Sequence, residues 1–371
     1  MSEPPVRSDP SRGNPEQVLR LFFSADLATG SSFKYKHPPL SDEARHHLRE
    51  LGYRKTTPWT EVFGEFFEYF ASQFRNNIQS ISDTFGVAQY PVRIWKIQGD
   101  EILLYTELVS AEQVYWQIRA FELTIRDADA RLSQDFGLGV KGACWTAGFP
   151  IRNTRIVIQT SENPHVVLVK DEGDFVLAKR EVPAVTANPQ LNALMAPYHT
   201  LADFIGVEMD HGFRICSHTH AGRVVASVDA CYFAALGKGE AQTTLMRQGP
   251  TNTGPIERSP PLRLAHVAWK ILKGVLGDVP VPIFWVEFGA MNAKRRTRYA
   301  FDAEENELVR LYLDETRSAM LGSDEYLQFF ADYHRGLVGR GVDHIVPYIS
   351  PLEMPSEQHV HFRAPETEEQ I

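Results

Sequence analysis

Cysteine is scarce in this chain: Cys144, Cys216 and Cys231 are the three thiols among 371 residues. An odd number in apolar segments argues against a disulfide framework, and no CxxC pair or His/Cys cluster offers a zinc site. The thiols are expected to be buried and reduced, in a cytoplasmic protein. Long apolar runs are missing too. No stretch of about eighteen apolar residues could span a bilayer, and the opening MSEPPVRSDPSRGNPE lacks the apolar stretch of a signal peptide. Residues 1–16 are expected to be a flexible lead-in. Positive charge is in deficit, with 38 Lys and Arg against 47 Asp and Glu and a net charge of −9. Wrapping a nucleic-acid backbone is therefore excluded as the main task, and neither nucleic acid nor membrane is expected as a partner. An acidic chain can still bind one nucleotide through a local basic cluster and divalent metals.

What is present is an ordinary globular composition, 43% hydrophobic and 23% charged, long enough for one large domain or two small ones. An apolar run over 17–25 reads as a buried strand and is followed by a small-residue turn, Thr29 to Ser32. A short helix is expected over 41–52. Phe63, Phe66, Phe67, Phe70, Phe74, Ile78 and Ile81 recur at helical spacing from Val62 onward, which predicts a long amphipathic helix. Two β-rich runs, Pro91 to Lys96 and Ile102 to Leu108, flank Gln98-Gly99-Asp100-Glu101 and predict a hairpin. A second helix is expected over 110–130, then a Gly-punctuated strand over 139–148 and short strands at 155–158 and 166–170. A helix over 206–218, a strand over 223–227 and a helix from an Asp229 cap through Leu236 follow. Residues 239–260 are rich in Gly, Pro and Thr and read as a linker. Beyond it the pattern predicts a helix over 262–276, a strand over 282–288 and helices over 304–320 and 324–338. The polar, acidic tail after Pro351 reads as disordered. This order predicts an α+β fold, with helices packed on one sheet.

The residues that carry chemistry are carboxylates at strand ends. Asp26 follows the first apolar run in FFSADLATGSSFK, and Asp100 sits in the hairpin turn of VRIWKIQGDEILLY. Two carboxylates on adjacent strands, each beside Gly where backbone amides are free for anions, are what a two-metal phosphoryl-transfer site needs. Farther on, Asp210 and Arg214 stand at i and i+4 of one predicted helix and share a face. The plain alternative for them is an exposed helical ion pair. His218 and His220 are one residue apart, share no helical face, and read as a surface turn.

These segments resemble the class III nucleotidyl cyclases. FFSADLATGSSFK resembles that family's first metal segment, KIQGDEILLY its second, and LGVKGACWTAGFP its strand after the second helix. Asp203, Gly206, Asp210, Arg214, Gly222 and Arg223 follow the spacing of its base-reading and phosphate-reading block. The resemblance covers roughly residues 17–238. It implies the class III cyclase fold, a ferredoxin-like antiparallel sheet with packed helices, as a catalytic domain over 17–260. A mainly helical extension is expected over 261–350 and a disordered tail over 351–371.

The resemblance also implies a site. Asp26, Asp100 and the Leu27 carbonyl would hold two Mg²⁺ or Mn²⁺ ions. The Ala28, Thr29, Gly30 and Ser31 amides would cradle the triphosphate, Lys96 and Asp203 would read the base, and Arg214 and Asp210 would act at the α-phosphate and ribose. The active sites would be shared across a head-to-tail homodimer. Asp210 departs from the family's usual Asn, and the family's phosphate-gripping Lys has no clear counterpart. Lys294 and Arg296, in the basic run KRRTR, are the candidates for it. The DLATGSSFKYK and DFIGVEMDHGFR wording, on a lone cyclase domain, resembles the pyrimidine cyclases of the bacterial anti-phage Pycsar system. That implies a cyclic UMP or, less favoured, cyclic CMP product that activates a separate effector, with Tyr53 as a candidate pocket wall. Two rival readings are an adenylate cyclase, favoured by the Lys96/Asp203 pair, and an inactive cyclase-like nucleotide sensor.

Overall fold

A computed structural model describes residues 18–37, 58–149, 152–159, 169–171, 174–176, 200–248, 261–275, 279–288 and 320–338, together with Ser41, Glu43, His46, His47 and Glu50. The expected helices over 41–52 and 304–320 lie largely outside these residues, as does the tail.

The chain begins with β1 (Val18–Ala28), then α1 (Gly30–Lys36), α2 (Trp59–Phe85), β2 (Arg93–Gln98), β3 (Glu101–Glu107), α3 (Ala111–Phe136) and β4 (Gly139–Phe149). Strand order β4-β1-β3-β2 with antiparallel neighbours makes this a β-α-β-β-α-β ferredoxin-like unit. α2 forms because its apolar side chains fall every three or four residues; ten of them are buried, from Val62 to Phe85. Gly86, in the left-handed conformation, ends it. α3 starts where the Ser110 side chain accepts from the Gln113 amide at 3.1 Å, and stops at left-handed Gly137.

Behind this unit come β5 (Asn153–Gln159), β6 (Val169–Asp171), β7 (Asp174–Val176) and β8 (Thr200–Gly206), which form a second, four-stranded sheet. Then follow α4 (Val207–Ile215), a 3₁₀ turn over Cys216–His218, β9 (Val224–Ala226) and α5 (Val228–Gln248). β9 runs parallel to β4. β10 (Leu262–Ile271), β11 (Pro280–Phe288) and β12 (Met320–Leu321) continue the first sheet, in the order β12-β10-β11-β9-β4, and α6 (Ser323–Val338) ends the described chain.

Three expectations are corrected here. Residues 262–271 are a strand, not the start of a helix. Leu262 and Leu264 are buried with a half-exposed Arg263 between them, and that alternation satisfies a strand once β11 is beside it. The segment expected to be a mainly helical extension therefore opens with strands of the main sheet. α5 does not stop at Leu236 but runs through the first part of the expected linker, to Gln248. Its cap is Ser227, whose hydroxyl accepts from the Ala230 amide at 3.2 Å. Finally, the turn expected at Thr29–Ser32 winds directly into α1.

The sheet has two covered faces at β1. Leu21, Phe23 and Ala25 point to α2 and α3, where the Phe23 ring meets Phe74 at 5.1 Å and Phe121 at 4.9 Å. Phe22 points the other way, into a ring cluster with Trp95, Trp145, Phe149 and Phe204. α4 lies on that second face. Gly212 touches the Trp145 indole so closely that a Cβ would overlap it, so the helix can sit there only with glycine. Among the described residues no helix is long and apolar enough to cross a membrane. Cys144 and Cys231 are buried, Cys216 is half-buried, and all three are free thiols. Phe23→Ala, which opens a hole between sheet and helices, should cost about 3–5 kcal/mol in urea unfolding with an unchanged m-value.

Candidate active site

The second face of the sheet carries charge at the end of β1. Asp26 stands opposite Glu101 on β3 and Lys141 on β4 in register, and cross-strand neighbours share a face. The Lys141 ammonium is 3.0 Å from Asp26 Oδ2. Glu101 accepts a short hydrogen bond from the Ser24 hydroxyl, one pleat back along β1. The β2–β3 turn, with Gly99 in the left-handed conformation, brings Asp100 alongside. Its carbonyl accepts from the Leu27 amide at 3.3 Å. Its carboxylate lies over Gly30, where any Cβ would overlap it. Lys34, one helical turn past Gly30, places its ammonium 3.6 Å from Asp100 Oδ1.

Burial raises the Asp26 pKa; Lys141 opposes that shift and the Asp100 charge adds to it. Burial likewise raises Glu101, with the Asp26 charge adding. The structure thus brings Asp26 and Asp100 together as expected, and adds three groups that the sequence did not single out: Glu101, Lys34 and Lys141. Glu101 is the residue after Asp100, and only the β1–β3 register shows that it faces Asp26. Lys141 lies in the quoted VKG segment, and only the β1–β4 pairing reveals its partner.

Lys96 and Asp203 also meet. Their ammonium and carboxylate are 2.9 Å apart, between β2 and β8. The pairing of β2 with β3 slips between Ile94 and Lys96, so Trp95 is an extra residue in the ladder. Such a bulge lets Trp95 join the Phe22 cluster at 5.6 Å while Lys96 keeps to the charged face. The Lys96 ammonium lies 4.3 Å from the Trp95 ring centre, and Asp203 also accepts from the Phe204 amide at 3.0 Å.

Asp210 and Arg214 stand on α4 and are both exposed. The ion pair that their spacing permits does not form among the described residues. α4 itself is held from behind. Asn153, the first residue of β5, accepts the Glu208 and Met209 amides on its side-chain oxygen at 3.2 and 3.3 Å. This is a helix cap supplied from another strand. Glu208 turns inward to the Gly148 amide at 2.7 Å, the Asn153 amide group at 2.6 Å and Arg152 at 2.9 Å. His218 is also half-buried, and its neighbour His220 stacks edge-on to Trp285 at 5.7 Å. Tyr53, Lys294 and Arg296 lie outside the described residues.

No group of three or more His, Cys, Asp or Glu gathers as a metal cluster among the described residues. Asp26 and Asp100 nonetheless fit divalent cations of the Mg²⁺ or Mn²⁺ kind. The donors are all oxygen, and the burial that lifts Asp26 is relieved by a cation held against it.

No family model matches the sequence, and no curated protein matches it. Solved structures do resemble the fold. The adenylyl cyclase CyaB from P. aeruginosa is 12% identical, with 75% of this chain and 96% of that one covered and a TM-score of 0.37. The guanylate cyclase domain of RhGC from Catenaria anguillulae, solved with GTP, is 10% identical, with 74% and 98% covered and a TM-score of 0.33. An adenylate/guanylate cyclase/hydrolase from Silicibacter pomeroyi is 12% identical, with 75% and 99% covered and a TM-score of 0.31.

The cluster beneath α4 has a pH signature. Burial, with the Glu208 charge adding, pushes Asp229 from 3.8 up to about 7. The folded chain then keeps a proton that the unfolded chain has released. This contribution to stability is complete below about pH 4 and is lost as pH rises through about 7. His211 is pushed by burial, then by Arg152, from 6.5 down to about 4, so its contribution is present above 6.5 and is lost as pH falls through about 4. The two slopes oppose each other. Asp229→Asn removes the first, and its unfolding free energy relative to the unsubstituted protein should rise by on the order of 3 kcal/mol between pH 4 and pH 7.5, measured by denaturant titration at each pH.

Proposed function

We propose that this chain is a nucleotidyl cyclase that converts UTP, or secondarily CTP, to the 3′,5′-cyclic nucleotide and pyrophosphate. The observation that carries the proposal is the gathering, on one end of one sheet face, of Asp26 and Asp100 with the Lys96–Asp203 pair. A group for metal-bound phosphates and a group for a base edge are what a nucleoside triphosphate requires.

Divalent cations held by Asp26, Asp100 and the Leu27 carbonyl would supply Lewis acidity at the ribose 3′-hydroxyl and the β- and γ-phosphates. The residues do the rest. Asp203 accepts the N3–H of uracil while Lys96 donates to O4, and Tyr53 is the candidate wall behind a small ring. The same donor–acceptor pair also matches N1 and N6 of adenine, so the pair alone leaves the adenylate cyclase reading open. The amides over Ala28 to Ser31 receive the triphosphate, and Lys294 and Arg296 are candidates for its outer end. Asp210 orients the ribose. Arg214 faces the charge that grows on the α-phosphate as the O3′–Pα bond forms and the bond to the pyrophosphate oxygen breaks. The 3′-hydroxyl proton leaves to solvent.

Arg214 is exposed and bonds to neither Asp26 nor Asp100 within the chain, among the described residues. That supports a head-to-tail homodimer in which Arg214 of one subunit completes the carboxylate site of the other. In this reading the catalytic unit is 17–260, and the strands β10, β11 and β12 beyond it extend the same sheet. The setting is cytoplasmic, and the product is an anti-phage second messenger read by a separate effector.

The first test incubates the protein with UTP, CTP, ATP and GTP separately, with Mn²⁺, and resolves the products by mass spectrometry. Cyclic UMP is the expected product. Cyclic AMP would overturn the pyrimidine and defence assignments, and no cyclic product would favour a nucleotide sensor. The second test concerns assembly. Asp26→Ala and Arg214→Ala should each lose about 10²–10³ in kcat, and mixing the two should recover part of the activity. Intact mixed dimers without recovery would exclude shared sites.

A further inference from the structure

A cavity of about 140 Å³ opens where the C-terminal end of α2, the N-terminal end of α3 and the later turns of α5 converge. It is far from the carboxylates of the sheet. Phe63 borders Lys34 beside Asp100, and Ile78, in the cavity wall, stands about 22 Å farther along α2. Ile78, Ile81 and the Trp116 indole, itself stacked on Phe85 at 4.6 Å, form the apolar side. Tyr90, Ser110 and Glu112 form the polar side. We propose that this cavity binds a small organic ammonium ion whose apolar body is about the size of one ring. The site is independent of the cyclase reading.

Glu112 carries the one charge in the cavity wall, and no Lys, Arg or His lines the cavity to neutralise it. The carboxylate is held in a fixed direction. The Trp116 indole N–H donates to one of its oxygens at 3.2 Å, and the Thr244 hydroxyl on α5 donates to the other at 3.2 Å. An ionised carboxylate accepts about four hydrogen bonds, so acceptor capacity remains for a charged N–H donor. Glu240 brings a second carboxylate to the same helix end, where it accepts from the Glu112 amide at 3.0 Å. The Tyr90 hydroxyl feels the local charge. Burial raises its pKa, a hydrogen bond with Ser110 opposes that shift, and the Glu112 charge adds to it. A carboxylate beside aromatic rings attracts a cation and repels an anion.

Size sets the body of the ligand. An apolar cavity of about 150 Å³ accepts one benzene molecule, so a single ring matches the space beside Ile78, Ile81 and Trp116. Gly86 and Ala88 also line the cavity and are exposed, which gives the ligand a way in. With the ring inside, the ammonium comes to rest against Glu112, which is half-exposed.

A gap left by imperfect packing of helix ends is the competing account. Such a gap is lined by apolar side chains and has no preferred charge. Here polar groups from α3, α5 and the segment after α2 converge on one side and apolar groups on the other, as in a ligand site. Gln113, also in the wall, is already satisfied. Its side-chain oxygen accepts from the Val109 amide at 2.8 Å, and its side-chain nitrogen donates to the Glu107 carbonyl at 2.8 Å. That leaves the Glu112 carboxylate as the group that selects the ligand.

The test titrates the full chain calorimetrically with benzylammonium, benzyl alcohol and benzoate, which share a ring and differ in charge. Benzylammonium should bind about tenfold tighter than benzyl alcohol, and benzoate should not bind. Glu112→Gln keeps the shape and an acceptor for the Trp116 N–H. It should erase the preference for the cation and leave benzyl alcohol affinity unchanged. Ala88→Phe, at the exposed mouth, should remove binding of both. No binding by the unsubstituted chain, or equal affinity for the three probes, would overturn the proposal. So would a cation preference that survives Glu112→Gln, or binding that survives Ala88→Phe. Near-ultraviolet circular dichroism identifies any variant that loses its fold, and the three-probe comparison on the unsubstituted chain decides the matter without the variants.

Discussion

The placement of β1 is the constraint on which the rest depends. It is the inner strand of the ferredoxin-like unit, paired along its length with β4 and for seven residues with β3. Leu21, Phe22 and Phe23 are fully buried in opposite directions, so the strand cannot slip by one residue without turning both cores inside out. That rigidity is inherited by Asp26. Its neighbours Glu101 and Lys141 are chosen by register and not by any local signal. A half-buried carboxylate raised by burial is held there by a strand whose apolar side chains, Leu21, Phe22, Phe23 and Ala25, are fully buried.

The second face of the sheet is less regular than the first, and its irregularities serve the site. The bulge at Trp95 lets an aromatic anchor and the Lys96 ammonium share a face. Gly212 lets α4 approach Trp145, and Asn153 caps that helix from another strand. α4 is therefore fixed on its inner side by polar bonds and ring contact, while Asp210 and Arg214 are presented outward.

Legibility in the sequence tracked how local each feature is. The 3.6-residue rhythm of Phe63 to Ile81 and the Gly99 hairpin were readable because they are written within a few residues of each other. Residues 262–271 were misread because LRLAHVAWKI is short and mixed in period, and pairing with β11 decides its state. α5 was cut short because its later residues, KGEAQTTLMRQ, look loop-like by composition. Gly237 packs against the Ala111 carbonyl there, and the Glu240 carboxylate accepts from the Glu112 amide at 3.0 Å, contacts that support the helix from outside.

For the site, sequence alone determined the kinds of group and their order: a carboxylate after an apolar strand, a carboxylate in a Gly turn, and an Asp and an Arg one helical turn apart. These follow from residue type, periodicity and turn chemistry, which act over short distances. Tertiary structure alone decided who meets whom. Glu101 and Lys141 flank Asp26 on either side, and Asn153 caps a helix that begins at Val207. Such pairings depend on strand register and helix docking, which are set by how the whole core closes and leave no trace in the spacing of the residues they join.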